Sequence, residues 1–271
     1  MTTIHRKSQP AAQHILLLGA SGLSGLAFIR EYLALPDDSS KPYLTLYTRS
    51  SGRVKLTSLL PTARTSDTPA SKTRIIEGDL SDAATVRNAF SADGRTGFPK
   101  VTAVISLLGA YPSLYHFLTR TTPTPIANAF KSTIIPAMRE VGVRRVLVLS
   151  TPTAFLVPGE WEKMSWGWWF HNLIPAIAVP QGNAEMKGIA EAVVRVRGGR
   201  LEVVEGLDVT VFRVPFLEDG EIGKGVIAFE LGGVGATENK ALNRGGMAKW
   251  LLKELDGRKW VGRASMLCNT E

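Results

Sequence analysis

His14-Ile15-Leu16-Leu17-Leu18-Gly19-Ala20-Ser21-Gly22-Leu23-Ser24-Gly25-Leu26-Ala27-Phe28-Ile29 is the stretch on which the fold turns. An apolar run breaks into three glycines spaced by three, and an apolar-periodic segment follows. That pattern predicts a buried strand, a tight turn and the first turn of a helix. Gly19 allows the sharp turn, Gly22 lets backbone approach a pyrophosphate, and Gly25 lets the helix lie close on the sheet. The unpaired N–H groups of the first helical turn, with the helix dipole, suit a diphosphate. Ser21, Leu23 and Ser24 join the three glycines as candidate contacts. Glycine turns are common, but this one has a strand before it and a helix after it. A P-loop is disfavoured because no Gly-Lys-Ser/Thr follows.

Reading outward, the first helix covers 23–35, and the loop from Pro36 to Pro42 ends it. Strands are expected at 43–47, 74–79, 101–108, 144–149 and 209–214. Residues 58–72, rich in Ser, Thr and Pro, read as an exposed excursion. Ser81 is the expected N-cap of the helix after the third strand. Further helices are expected at 125–141, 183–197 and 247–255. Alternating strands and helices predict an α/β fold, a doubly wound parallel sheet with right-handed crossovers. We assign residues 1–13 to a tail and 14–271 to one domain with a small C-terminal substrate-binding lobe. Substrate-side elements are expected from about 155–182 and 215–271.

The bulk numbers fit that picture. The chain has 271 residues, 44% hydrophobic and 21% charged, enough to bury a substantial core. Cys268 is the only cysteine, which excludes an intrachain disulfide and a Cys-rich metal site, and the simplest setting is the reducing cytoplasm. No metal site is expected. The polar start lacks the apolar core of a secretory signal, and the aromatic stretch 166–179 is too short and polar to span a bilayer. A net charge of +8 could serve nucleic acid, but no dense Lys/Arg run with interleaved aromatics exists. A polyanionic cofactor plus solvated lysines accounts for it, so no nucleic-acid partner is expected.

Where an NAD-selective chain would place a carboxylate, about 20 positions past the glycines, this one ends its second strand Tyr47-Thr48-Arg49-Ser50, with Arg53 and Lys55 following. An arginine pairs with a 2′-phosphate and stacks on adenine, so NADP(H) is the expected cofactor and Arg49 its selector. Asp79 and Leu80, after the third strand, are candidates for the adenine edge. Leu108 and Gly109, ending the fourth, would lie against the middle of the cofactor.

The glycine turn, Tyr47-Thr48-Arg49, Gly78-Asp79-Leu80, the Ser150-Thr151 strand end, Lys187-Gly188-Ile189-Ala190-Glu191-Ala192 and Val209-Thr210-Val211-Phe212-Arg213-Val214-Pro215 together resemble the atypical, NmrA-like branch of the short-chain dehydrogenase/reductases. The resemblance implies a Rossmann fold, a nicotinamide cofactor and, often, carbonyl reduction. It also implies that Lys187 holds the nicotinamide ribose and that Ser150 or Thr151 hydrogen-bonds substrate. One departure stands out. The family places a proton-donating Tyr four residues before the Lys, and here that position is Asn183. All five tyrosines precede Ser150. Another acid such as His171, Tyr111 or water could replace it, the substrate could need little acid help, or redox turnover could be lost. Asn183 can donate a hydrogen bond to an oxyanion but releases no proton at neutral pH. Trp161, Trp166, Trp168 and Trp169 cluster after the fifth strand. They form either an apolar pocket over the nicotinamide, with Trp161, Trp166, Tyr111 and His171 as substrate contacts, or a packed lid or dimer interface. The expectation is an NADPH-dependent reductase of an apolar small molecule, monomeric or homodimeric. The alternatives are a non-catalytic NADP(H)-binding regulator and a cofactor-bound isomerase or cyclase.

Overall fold

The computed structural model describes residues 12–60, 72–95, 97–109, 119, 121–168, 179–197, 200–220, 225–231 and 239–270. In chain order its strands are β1 (His14–Leu18), β2 (Tyr43–Thr48), β3 (Thr73–Glu77), β4 (Ala103–Ser106), β5 (Arg145–Ser150), β6 (Val194–Arg197), β7 (Arg200–Val203), β8 (Asp208–Arg213), β9 (Phe216–Glu218), β10 (Val226–Phe229), β11 (Ala241–Asn243) and β12 (Arg263–Asn269). Its helices are α1 (Leu23–Leu33), α2 (Ser50–Leu59), α3 (Ala83–Phe90), α4 (Pro125–Ala129), α5 (Ile135–Val141), α6 (Pro180–Val193) and α7 (Arg244–Gly257), with a π turn, Phe130–Ile134, joining α4 to α5.

Eight strands form one sheet in the order β10-β12-β8-β5-β4-β1-β2-β3. Every neighbouring pair is parallel except β10 with β12, an antiparallel edge. The order runs one way from β1 to β3 and the other way from β4 onward. This is the doubly wound arrangement, with its switch point between β1 and β4. Side chains alternate between the two faces. Leu16, Leu18, Val104, Val146 and Val148 meet Val86, Phe90, Met138 and Ile189 on one face. Ile15, Leu17, Ile105, Leu147 and Phe212 meet Phe28, Ile29, Met247 and Leu251, from α1 and α7, on the other. Helices cover both faces, which is why the central strands read as unbroken apolar runs.

Several expectations need correction. The excursion expected at 58–72 does not hold at its start, where Ser58 and Leu59 belong to α2; only Gly52 and Leu56 of that helix are buried, so it has little apolar period to read, and 61–71 lie outside the described residues. Asp82, not Ser81, caps α3, its carboxylate accepting the amides of Ala84 and Thr85. The helix expected at 183–197 starts at Pro180 and stops at Val193. Beyond it, alternating Val and Arg form β6, which pairs with β7 as a hairpin. The C-terminal stretch extends the main sheet through β12 and β10 and adds the two-stranded β9–β11 ladder, none of them anticipated. No described helix is long and apolar enough to cross a membrane.

Candidate functional site

The site begins at the turn after β1. Gly19 has φ +82°, and a Cβ there would meet the Leu107 carbonyl oxygen at 2.7 Å. The turn therefore presses directly on the end of β4. A Cβ on Gly25 would land on the backbone oxygens of Gly19 and Ala20, so this glycine packs the turn rather than lining the space above it. Gly22 is the N-cap of α1 in extended conformation, and no side chain caps that first turn. Its amides are left for a ligand, as a helix N-terminus built for an anion requires.

A cavity of about 520 Å³ opens there, outside the carboxyl ends of the strands. Gly19, Ser21, Gly22, Leu23, Ser24, Arg49, Asp79, Leu80, Leu108 and Gly109 all line it. The ends of four strands, β1 to β4, and the first turn of α1 thus bring together residues that the sequence suggested one at a time. At the far side of β2, Arg49 is the N-cap of α2, and no side chain caps that helix either. Arg53 turns away to Glu77, with 3.5 Å between Nη1 and Oε2, so Arg49 is the cation on this wall. Asp79 accepts the Ser81 hydroxyl at 2.5 Å and the Ser81 amide at 2.9 Å. Those bonds, with a smaller contribution from Arg49, hold its carboxyl below the usual range. The Tyr47 hydroxyl donates to the Asp79 carbonyl at 2.8 Å, and burial pushes its pKa up to about 12.

The opposite end is more apolar. Leu149, Met186 and Leu217 line it, together with Ile126. A Cβ on Gly109 would meet the Met186 methyl at 2.7 Å, so that glycine makes room for the methionine. Glu185, fully buried, accepts the Ile126 amide at 3.0 Å and the Ala127 amide at 2.7 Å. It clips α6 to the uncapped first turn of α4 and so holds Ile126 and Met186 in the wall.

The four residues expected to be catalytic are not in that wall. Ser150 is fully buried and its hydroxyl has no partner; the Asn183 side-chain oxygen is likewise buried and unpaired. Their neighbours Leu149 and Met186 face the cavity instead. Thr151 serves its own turn, accepting the Ala154 amide at 3.1 Å. Lys187 is exposed, with its amino group 3.9 Å from Glu191. The helix phase explains this: Gly182, Glu185 and Ile189 set the buried side of α6, and Lys187 falls outside it. The aromatic cluster divides, with Trp169 outside the described residues. Trp168 is 3% exposed and packs with Phe229, Leu231, Met266 and Cys268 on the β10–β12 edge, an apolar face that existed only once those strands formed. Trp161 and Trp166 are exposed and do not line the cavity. Tyr111 and His171 lie outside the described residues. No cluster of three metal-ligating side chains exists among the described residues.

Sequence reasoning missed Met186, Glu185, Leu217 and Arg244. Only Arg244 had a signal, since Asn243-Arg244-Gly245-Gly246 reads as a cap and a helix start.

This strand order, with a glycine turn at the switch point, defines a doubly wound Rossmann fold with a dinucleotide-type site. A family model described as NAD(P)H-binding matches residues 19–257, and the chain belongs to that family. No curated protein matches it. Among solved structures it is similar to a wide-type short-chain dehydrogenase/reductase from Veillonella parvula DSM 2008 in complex with NADP, with TM-score 0.61, 15% identity and 94% of each chain covered. The oxidoreductase ylbE from Lactococcus lactis aligns with TM-score 0.60 and 13% identity over 96% of this chain and 92% of that one. ChuY, an anaerobilin reductase from Escherichia coli O157:H7, aligns with TM-score 0.57 and 16% identity over 96% and 98%. At these identities the likeness is one of fold.

Proposed function

We propose that the chain is a cytoplasmic NADPH-dependent reductase, passing hydride to a carbonyl, imine or activated alkene of an apolar small molecule. The carrying observation is the continuous cavity from Arg49, past the uncapped turn of α1, to the apolar wall at Met186. The glycine cradle fits a diphosphate, because a side chain at Gly19 would fill it. Amides of the first α1 turn would hold the diphosphate, Arg49 a 2′-phosphate, and Asp79 with Leu80 the adenine edge. The bound cofactor supplies a hydride to an electrophilic carbon. Leu149, Met186 and Leu217 exclude water from that end of the cavity. Ser150 and Asn183 keep unpaired buried oxygens, but neither lines the cavity, so neither is assigned a contact with substrate. With no tyrosine at position 183, the proton comes from solvent or another acid.

A second reading, cofactor binding without turnover, draws on Lys187. Its pairing with Glu191 on the exposed side of α6 leaves the ribose without the lysine that the resemblance implies. Loss of NADPH absorbance against a panel of ketones, imines and enones separates the two.

The test of the nucleotide site is calorimetry with NADPH and NADH on the wild type and on Arg49→Asp. The variant should lose about tenfold or more in NADPH affinity, the scale of a charge-assisted hydrogen bond, with NADH nearly unchanged. Equal losses remove the 2′-phosphate assignment. No saturable uptake of either nucleotide removes the function.

A further inference from the structure

Arg244 is the cavity-lining side chain to which the nucleotide reading gives no task. The β9–β11 ladder positions it: Asn243 stands opposite Glu218, and its Nδ2 donates to the Gly220 carbonyl at 3.1 Å. The Asn243 Oδ1 accepts the amides of Gly245 and Gly246 at 2.8 and 3.1 Å. The first amides of α7 are thus already satisfied, and what faces the cavity is the Arg244 side chain. That side chain is only 15% exposed, and its ion pair, Nη1 to Asp219 Oδ1 at 3.0 Å, goes to a carboxylate that is 70% exposed. The Arg244 Nε is buried with no hydrogen-bond partner. Asp79 is the single carboxylate among the described residues lining the cavity, and its Oδ1 is bonded by Ser81. A largely buried guanidinium with donors to spare, whose one counter-ion among the described residues faces solvent, calls for an acceptor that arrives with the ligand. Its planar fork matches a phosphate or carboxylate.

We propose that Arg244 binds an oxyanion carried into this cavity, either the diphosphate of the dinucleotide or a carboxylate on the substrate, with solvent-facing Asp219 as its resting counter-ion. The proposal rests on the nucleotide reading above. In the first case Arg244 adds a full positive charge to what the α1 amides supply; α1 and α7 share one packed face of the sheet. In the second, the pocket selects acidic substrates.

The test uses the full chain, with Arg244→Met and Asp219→Asn. Three probes are titrated: NADPH, adenosine 2′-monophosphate (which lacks both phosphates of the dinucleotide's diphosphate), and benzoate against benzamide on the NADP-saturated protein. A loss of about tenfold or more for NADPH in Arg244→Met, with adenosine 2′-monophosphate unchanged, assigns Arg244 to the diphosphate. Unchanged NADPH with loss of benzoate but not benzamide assigns it to a substrate carboxylate. Asp219→Asn should bind the same anion as tightly as the wild type or more tightly, which also decides the matter if Arg244→Met does not fold. The proposal is overturned if Arg244→Met matches the wild type with every probe, or loses NADPH and adenosine 2′-monophosphate equally. Weaker anion binding in Asp219→Asn also overturns it, since it marks a pair that only holds structure. A wild type that takes up no NADPH instead removes the nucleotide reading, and this site with it.

Discussion

A methyl group on Gly25 would fall on the carbonyl oxygens of Gly19 and Ala20, and backbone cannot rotate aside as a side chain can. Gly25→Ala should therefore push α1 off the turn, with a cost of about 2 kcal/mol or more, in the range of overpacked sites. NADPH affinity should fall with it, because the α1 amides would no longer point where they do. Thermal melting and a nucleotide titration check this together; a variant that melts and binds like the wild type would contradict the close packing. Residue-scale contacts near the turn were legible because the glycines, Arg49 and Asp79 sit at strand ends whose direction the pattern reveals. Lys187 was not. Its spacing from Glu191 is equally that of a surface pair at i,i+4, and only the packing of α6 shows which way it points.

The segment after β5 is held by Glu160 and Arg213. Arg213 is fully buried at the end of β8, and both its terminal nitrogens reach the Glu160 carboxylate. It also donates to the Ala264 carbonyl at 2.9 Å, while Glu160 accepts the amides of Val157 at 2.7 Å and Leu231 at 3.2 Å. One ion pair thus joins β8, β12 and the chain that leads to Trp168. Glu160→Ala would strand a buried guanidinium, and a loss of about 3–5 kcal/mol is expected from urea denaturation. Adding Arg213→Met to that variant should recover part of the loss, since the unpaired charge goes too. A single-variant loss below about 1 kcal/mol would show the pair to be idle. In the sequence Arg213 is merely an odd charge inside an apolar strand; its partner lies 53 residues away. Strands β9 to β12 escaped notice for a related reason, being short or dependent on an edge already formed.

Across the whole molecule, stability should depend on pH through His14. Its ring is buried at the start of β1, bonded to the Pro99 carbonyl at 2.6 Å and to the Thr45 hydroxyl at 2.7 Å. Burial, the largest cause, and nearby Arg74 lower its pKa from 6.5 to about 4. The unfolded chain binds a proton below pH 6.5, and the folded one does not until about 4. Stability from this residue is therefore complete above 6.5 and falls through that window, by up to about 1.4 kcal/mol per pH unit. Urea midpoints at descending pH should show the decline, and His14→Gln should flatten it; identical slopes would rule the histidine out as the source. The same fully buried strand shows where legibility ends. From residues 14–29 alone, local physics dictated strand, glycine turn and helix, because apolar period and glycine spacing act over neighbouring positions. The alternation that followed dictated a doubly wound sheet and a nucleotide edge at its carboxyl end. Only the tertiary structure decided that Met186 rather than Lys187 faces the cavity, that Trp168 seals the β10–β12 edge, and that Arg244 enters the wall from the far end of the chain. Those outcomes depend on helix phase and on strands pairing across long separations, which no local pattern encodes.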